Sequence, residues 1–172
     1  MSLFNLISHR EIRILLFTAF TSIMLTVLCS ACREPVQHNS IVGTWRLIEF
    51  ADLDSTTNQW VYPYGQEPRG FFTYTPDNIV NLNISHERPL RLNSDQLDST
   101  LFTYRDFMNN AVGYFGRYSI DVNQGLVTHI VEGGTIPFYI DTEQPRPFDL
   151  QGDTLTIGDG KTWRRTLVRT TQ

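Results

Sequence analysis

Residues Gly70 to Ile84 read GFFTYTPDNIVNLNI, and this stretch decides the fold. Thr75-Pro76-Asp77-Asn78 breaks it in the middle, with a proline that presets φ for a tight turn and two residues whose side chains close one. In the second arm Val80, Leu82 and Ile84 share one face while Asn81 and Asn83 take the other, as in a sheet wall with one wet side. The segment therefore predicts an antiparallel hairpin whose apolar face looks inward.

The same period of two continues on both sides. Thr44 to Phe50 alternates as a first strand. Tyr114, Gly116, Tyr118 and Ile120 alternate with Phe115, Arg117, Ser119 and Asp121, and Leu126 to Glu132 returns after Asn123-Gln124-Gly125. Phe148 to Leu150 and Thr154 to Ile157 flank Gln151-Gly152-Asp153, and Gly158-Asp159-Gly160 leads into a last strand from Thr162 to Val168. One segment departs from this period. Asn93 and Gln96 have capping-box spacing, and Leu97, Leu101, Tyr104 and Met108 follow at helical spacing, predicting one short amphipathic helix that lids or plugs one end. The fold class is all-β: a single antiparallel β-barrel of about eight to ten strands with one short helix. Closure removes exposed edges and leaves a cavity for one small ligand; a sandwich is the alternative.

With 172 residues the chain fits one domain. A net charge of −4 and scattered arginines argue against nucleic acid, which needs a basic face. Cys29 and Cys32 are the only cysteines and sit too near the N-terminus to staple a fold; a redox reading of their C-x-x-C spacing lacks its βαβ context. His9, His38, His86 and His129 have no metal-ligand spacing, so no metal is expected. Neither G-x-S-x-G, a P-loop nor a dinucleotide glycine fingerprint is present, and no cofactor is expected.

The first 31 residues have the order of an export signal. His9, Arg10 and Arg13 precede an uncharged run from Ile14 to Leu28, shorter than the roughly 20 residues a bilayer span needs, and small residues follow. Leu28-Cys29-Ser30-Ala31-Cys32 resembles a bacterial lipobox, which implies a diacylglyceryl group on Cys32 and cleavage before it. Cys29 holds the place where that pattern favours leucine. Arg33 follows the cysteine in place of the aspartate associated with inner-membrane retention, so the resemblance implies an outer-membrane lipoprotein facing the periplasm, or a secreted protein if Cys32 is not lipidated. Residues 32–40 read as a tether and 41–169 as the barrel domain.

Gly43-Thr44-Trp45 opens the first strand and resembles the G-x-W motif by which lipocalins seat a tryptophan at the closed end of the barrel. Tyr62-Pro63-Tyr64-Gly65, Pro68-Arg69-Gly70, Tyr74-Thr75-Pro76-Asp77, Thr128-His129, Val131-Glu132-Gly133, Pro137, Gln144-Pro145-Arg146-Pro147-Phe148, Leu150, Gly152-Asp153 and Leu155-Thr156 follow in order. Together they resemble the bacterial lipocalin-like domain family from Ile41 to Val168. The resemblance implies an arginine from the last strand stacked on the tryptophan, with Arg164 and Arg165 as candidates. Where the family often carries two adjacent histidines, this chain has His129 followed by Ile130.

Val127, His129 and Val131 share a strand face, which places one histidine among apolar neighbours, facing the interior. One reading makes His129 a ligand contact or acid/base group, with Tyr64, Arg69, Tyr74, Tyr118, Glu132 and Arg146 as further contacts. The other pairs Glu132 with Arg146 at the rim and makes His129 a wall residue. Tyr62, Tyr64, Phe71, Phe72 and Tyr74 either line an aromatic pocket or fill the core. Three functions remain open: a membrane-tethered binding protein for a small apolar or amphipathic molecule, a cyclase- or isomerase-type enzyme using His129 with Glu132, and an assembly lipoprotein with a solid core. Simple alternation sets Glu132 opposite His129 unless a bulge near Gly133-Gly134 turns the strand.

Overall fold

Alternation from Gly43 onward becomes one continuous antiparallel sheet in the computed structural model, which describes residues 40–91 and 103–170. The strands are β1 (Gly43–Asp54), β2 (Gln59–Val61), β3 (Arg69–Tyr74), β4 (Ile79–Ser85), β5 (Ala111–Asp121), β6 (Leu126–Gly134), β7 (Thr142–Gln151), β8 (Thr154–Gly158) and β9 (Trp163–Arg169). Among the described residues one helix, α1 (Tyr104–Asn110), precedes β5, and a 3-10 turn, Pro137–Tyr139, follows β6. Neighbours pair in the order β1-β3-β4-β5-β6-β7-β8-β9, and β9 pairs back onto β1, which closes an eight-stranded barrel. Strand β2 pairs only with Asp52–Asp54 and forms a flap on the end of β1. Because the ring closes on itself, the unit from Asn39 to Gln172 is self-contained, with its own core.

The expected hairpin is present between β3 and β4, with Tyr74 opposite Val80 and Gly70 opposite Ile84. Thr75 Oγ1 accepts the Ile79 N–H at 3.0 Å, and Asn78 adopts φ 65°, the left-handed conformation asparagine tolerates. Val80, Leu82 and Ile84 are buried, as are Phe72 and Tyr74; Phe71 points out and is not part of any interior pocket. Full burial of side chains this size stabilises by roughly 1.5–3 kcal/mol each.

Trp45 is fully buried and plugs the end of the barrel where β1 begins, its Nε1 donating to the Ile41 carbonyl at 2.7 Å. The arginine stacked on it is Arg169, Cζ 4.1 Å from the ring centroid, and not Arg164 or Arg165. Register decides this, since Trp45 lies opposite Arg169, while Phe50 and Ala51 lie opposite Arg165 and Arg164. At about 3.3 Å per residue those two are roughly 13–17 Å along the strand, at the other end. Gly43 makes the contact possible: a Cβ there would stand 2.8 Å from Arg169 Nη1. Nη1 and Nη2 of Arg169 then donate to the Val42 and Ser40 carbonyls at 2.9 and 3.0 Å.

Two bulges break the simple alternation. In β5–β6, Gly116 pairs with Val131 and Phe115 with Gly133, leaving Glu132 as the extra residue. In β1, Leu47 pairs with Leu167 and Glu49 with Thr166, leaving Ile48 extra. The second bulge changes the inward phase, so that Phe50 reaches the interior and Glu49 faces Arg164 and Thr166 instead.

Three elements differ from expectation. β1 runs on past Phe50 because Asp54 Oδ1 accepts the N–H groups of Thr56 and Thr57 and turns the chain into β2. β7 starts well before Phe148 despite Pro145 and Pro147. Those residues alternate with Phe148, whose N–H bonds to Gly125 at the start of β6, so their missing donors face the side that β8, paired only with Phe148–Gln151, leaves uncovered. The described helix is capped by Thr103, with Asp106 completing the capping box; the expected Asn93 and Gln96 pair lies outside the described residues.

Candidate functional site

At the end opposite Trp45 the strands enclose a cavity of about 200 Å³. Inward positions of β3, β4 and β5 supply Phe72, Leu82, Ile84 and Val112, and Ile157 of β8 joins them. Met108 of α1 and Phe138 and Tyr139 of the 3-10 turn line the same cavity, so the helix covers one end as expected. Tyr64, from the loop between β2 and β3, holds the helix by donating from Oη to the Met108 carbonyl at 2.9 Å and sets its ring edge-on to Phe50 at 4.7 Å. Burial pushes the Tyr64 phenol up to about 12, so it stays protonated at neutral pH.

Two arginines enter this mostly apolar space. Arg165 of β9 stacks on Phe50, Cζ 3.3 Å from the centroid, and Nη2 meets Asp52 at 2.8 Å. Arg146 of β7 points inward on the phase of Gln144 and Phe148, half-buried, with Cζ 5.5 Å from the ring centroids of both Tyr139 and Trp163. Burial works against its charge, but the phenols of Tyr114 and Tyr139 outweigh it and leave the pKa above the ordinary arginine value.

Beneath the cavity lies a polar layer. His129 of β6 is fully buried; Tyr114 Oη is 2.6 Å from Nδ1 and Tyr74 Oη 2.9 Å from Nε2. A neutral imidazole has one N–H and one lone pair, so one phenol donates to it and the other accepts. Burial, with the Arg146 charge adding to it, pulls the His129 pKa down to about 3 and keeps the ring neutral. Tyr118 packs edge-on to Tyr74 and donates to the Thr75 carbonyl at 2.7 Å, tying β5 to the β3–β4 turn.

Of the expected ligand contacts, Tyr64 and Arg146 line the cavity. Tyr74, Tyr118 and His129 do not line it and belong to the core, with only Tyr114 of that cluster reaching the cavity wall. Arg69 lies on the outer surface, in a groove beside Arg46 and Glu67. Glu132 is also outside: although a bulge is present at this place, the carboxylate remains about half exposed (52%) and meets Arg117 at 3.4 Å, so it pairs with neither His129 nor Arg146. Arg164 grips Glu49 through Nε and Nη2 at 2.9 and 2.8 Å and covers Trp60 at 4.0 Å. The expected lipidation residue Cys32, the signal segment and most of the tether lie outside the described residues.

Sequence reasoning missed Tyr114, Tyr139 and Trp163 as cavity residues. Tyr114 carried a usable signal, since it shares strand phase with Tyr118. Tyr139 sits in a 3-10 turn, where no period exists to read.

A closed eight-stranded antiparallel barrel with a tryptophan plug, a covering arginine and one partly lidded cavity defines the lipocalin-like class. The model of the lipocalin-like domain family matches residues 42–169, and the chain belongs to that family. No curated protein matches the sequence.

Proposed function

We propose that this chain is a binding protein that holds a small amphipathic molecule in the barrel, tethered in the cell envelope through lipid on Cys32. The cavity carries the reading: apolar and aromatic walls with few, placed polar groups are the make-up of a small-molecule site. The tether rests on the lipobox-like residues 28–32, and the residue after Cys32, arginine, favours the outer membrane with the barrel facing the periplasm.

The geometry does not favour a cyclase or isomerase built on His129. Both ring nitrogens are engaged by phenols, the ring is sealed from the cavity, and Glu132 lies on the outer face. A solid-core assembly protein would have no such cavity.

Native mass spectrometry of the Asn39–Gln172 unit, purified from its own organism's extract, tests the reading. The expected result is a reproducible small-molecule adduct that disappears on unfolding and in a Leu82→Trp variant, whose indole fills the cavity. A clean apo mass in repeated preparations would overturn it.

A further inference from the structure

Arg146 is the cavity guanidinium that has no carboxylate partner among the described residues. Its neighbour Arg165 is answered by Asp52 at 2.8 Å and donates from Nη1 to the carbonyls of Ala51 and Arg164 at 2.8 and 3.0 Å. The ion pairs of the described residues are Arg88–Glu87, Arg117–Glu132, Arg164–Glu49, Arg165–Asp52 and Arg169–Asp153, and none includes Arg146. Aromatic faces and phenols surround it instead. Two guanidinium groups line one cavity, and among the described residues only Arg165 has a carboxylate partner there, so their like charges repel. Burial together with the like charge of Arg146 lowers the pKa of Arg165, in the direction that crowding requires.

We propose that the missing partner arrives with the ligand, and that the ligand is a medium-chain carboxylic acid whose carboxylate sits on Arg146 beside the phenols of Tyr114 and Tyr139. The inference rests on the binding reading above and names its ligand class. Guanidinium matches a carboxylate through two parallel N–H···O bonds, and the Tyr139 hydroxyl beside it supplies a further donor. One surplus positive charge suits a monoanion better than a phosphate monoester, which carries about −1.5 to −2 at neutral pH. Phe72, Leu82 and Ile84 give the alkyl chain its wall. A cavity of about 200 Å³ takes one small molecule, which favours a medium chain over a long one.

The test is calorimetric titration of the Asn39–Gln172 unit with octanoate, octanol, octylamine and octyl phosphate, following tryptophan fluorescence in parallel. Octanoate is expected to bind at least tenfold tighter than octanol, and octylamine weakest. Arg146→Gln is expected to remove the preference for octanoate over octanol, and Arg146→Lys to retain part of it. Equal affinity for octanoate and octanol, both lost in Leu82→Trp, would leave the cavity as a binding site and overturn the carboxylate assignment. Tighter binding of octyl phosphate would overturn the choice of a monoanion. Binding of none of the four, or binding untouched by Leu82→Trp, would sink the binding reading itself. Should Arg146→Gln not fold, the ranking of octanoate, octanol and octylamine on the unaltered protein decides the matter.

Discussion

Arg169 lies flat over Trp45, Cζ 4.1 Å from the ring centroid, and joins the last strand to the first at the closed end of the barrel. The contact combines a cation–π interaction with two hydrogen bonds to the Ser40 and Val42 carbonyls, so it also ties down the segment before β1. Truncation of Arg169 to alanine is expected to cost about 2–3 kcal/mol. Arg164→Ala, which loses a bidentate pair with Glu49 whose side chains are each about a quarter exposed, is expected to cost about 1 kcal/mol. Urea denaturation of both variants measures the difference; equal losses would contradict the assignment of Arg169 as the closing residue.

Acid should destabilise the barrel through His129. The unfolded chain takes up a proton below about 6.5, whereas the folded ring refuses it until about 3, so folding stability is full above neutrality and falls as pH drops through that window. Between pH 7 and pH 5 the loss is roughly 2 kcal/mol. His129→Gln, which cannot titrate, is expected to show a flat denaturation midpoint over the same range. A slope unchanged in the variant would mean that another group is responsible.

Gly116 sits at the β5–β6 bulge with no room for a side chain, since a Cβ would lie 2.0 Å from the Ile130 carbonyl oxygen. The clash is with backbone and cannot be relieved by a rotamer change. Gly116→Ala is therefore expected to cost more than about 2 kcal/mol, with Gly152→Ala, whose position has nothing within 4 Å, as the exposed comparison at φ 59°. Thermal unfolding of the two variants makes the comparison.

Glu132 faces solvent, and its pair with Arg117 is open to screening. Glu132→Gln is expected to shift stability by less than about 0.5 kcal/mol and to leave ligand capture unchanged. A large effect on capture, read by the native mass spectrum, would return this carboxylate to the site.

Lipid attachment is expected at Cys32 alone. In a two-membrane bacterium fed a clickable fatty acid, the full chain and a Cys29→Ser variant should take up label, and Cys32→Ser should not. Label retained in Cys32→Ser would place the anchor elsewhere.

Much of the barrel was legible in the chain because hairpins are local. Pro76 and Asn78 fix the β3–β4 turn, Gly125 and Gly152 occupy positive-φ positions in the β5–β6 and β7–β8 turns, and period-two alternation then sorts Val80, Leu82, Ile84, Val127 and Val131 onto the inner face. The candidate site was read less well for a related reason. Alternation told that His129 points inward but not how deep it lies, and depth separates a core residue held by Tyr74 and Tyr114 from a cavity residue such as Arg146.

By itself the sequence determined the all-β class, the order of the hairpins and the inward phase of each regular strand, because these follow from local turn chemistry and a period of two, while the tryptophan plug at Gly43-Thr44-Trp45 was implied by the family resemblance. Only the tertiary structure decided which arginine meets that tryptophan, since the answer depends on the register between strands more than a hundred residues apart in the chain. It also decided that Phe50 and not Glu49 faces inward, because one extra residue at Ile48 reverses the phase. Arg146 among Tyr114, Tyr139 and Trp163 is of the same kind: four side chains from β5, β7, β9 and a 3-10 turn, which only closure of the barrel brings around one cavity.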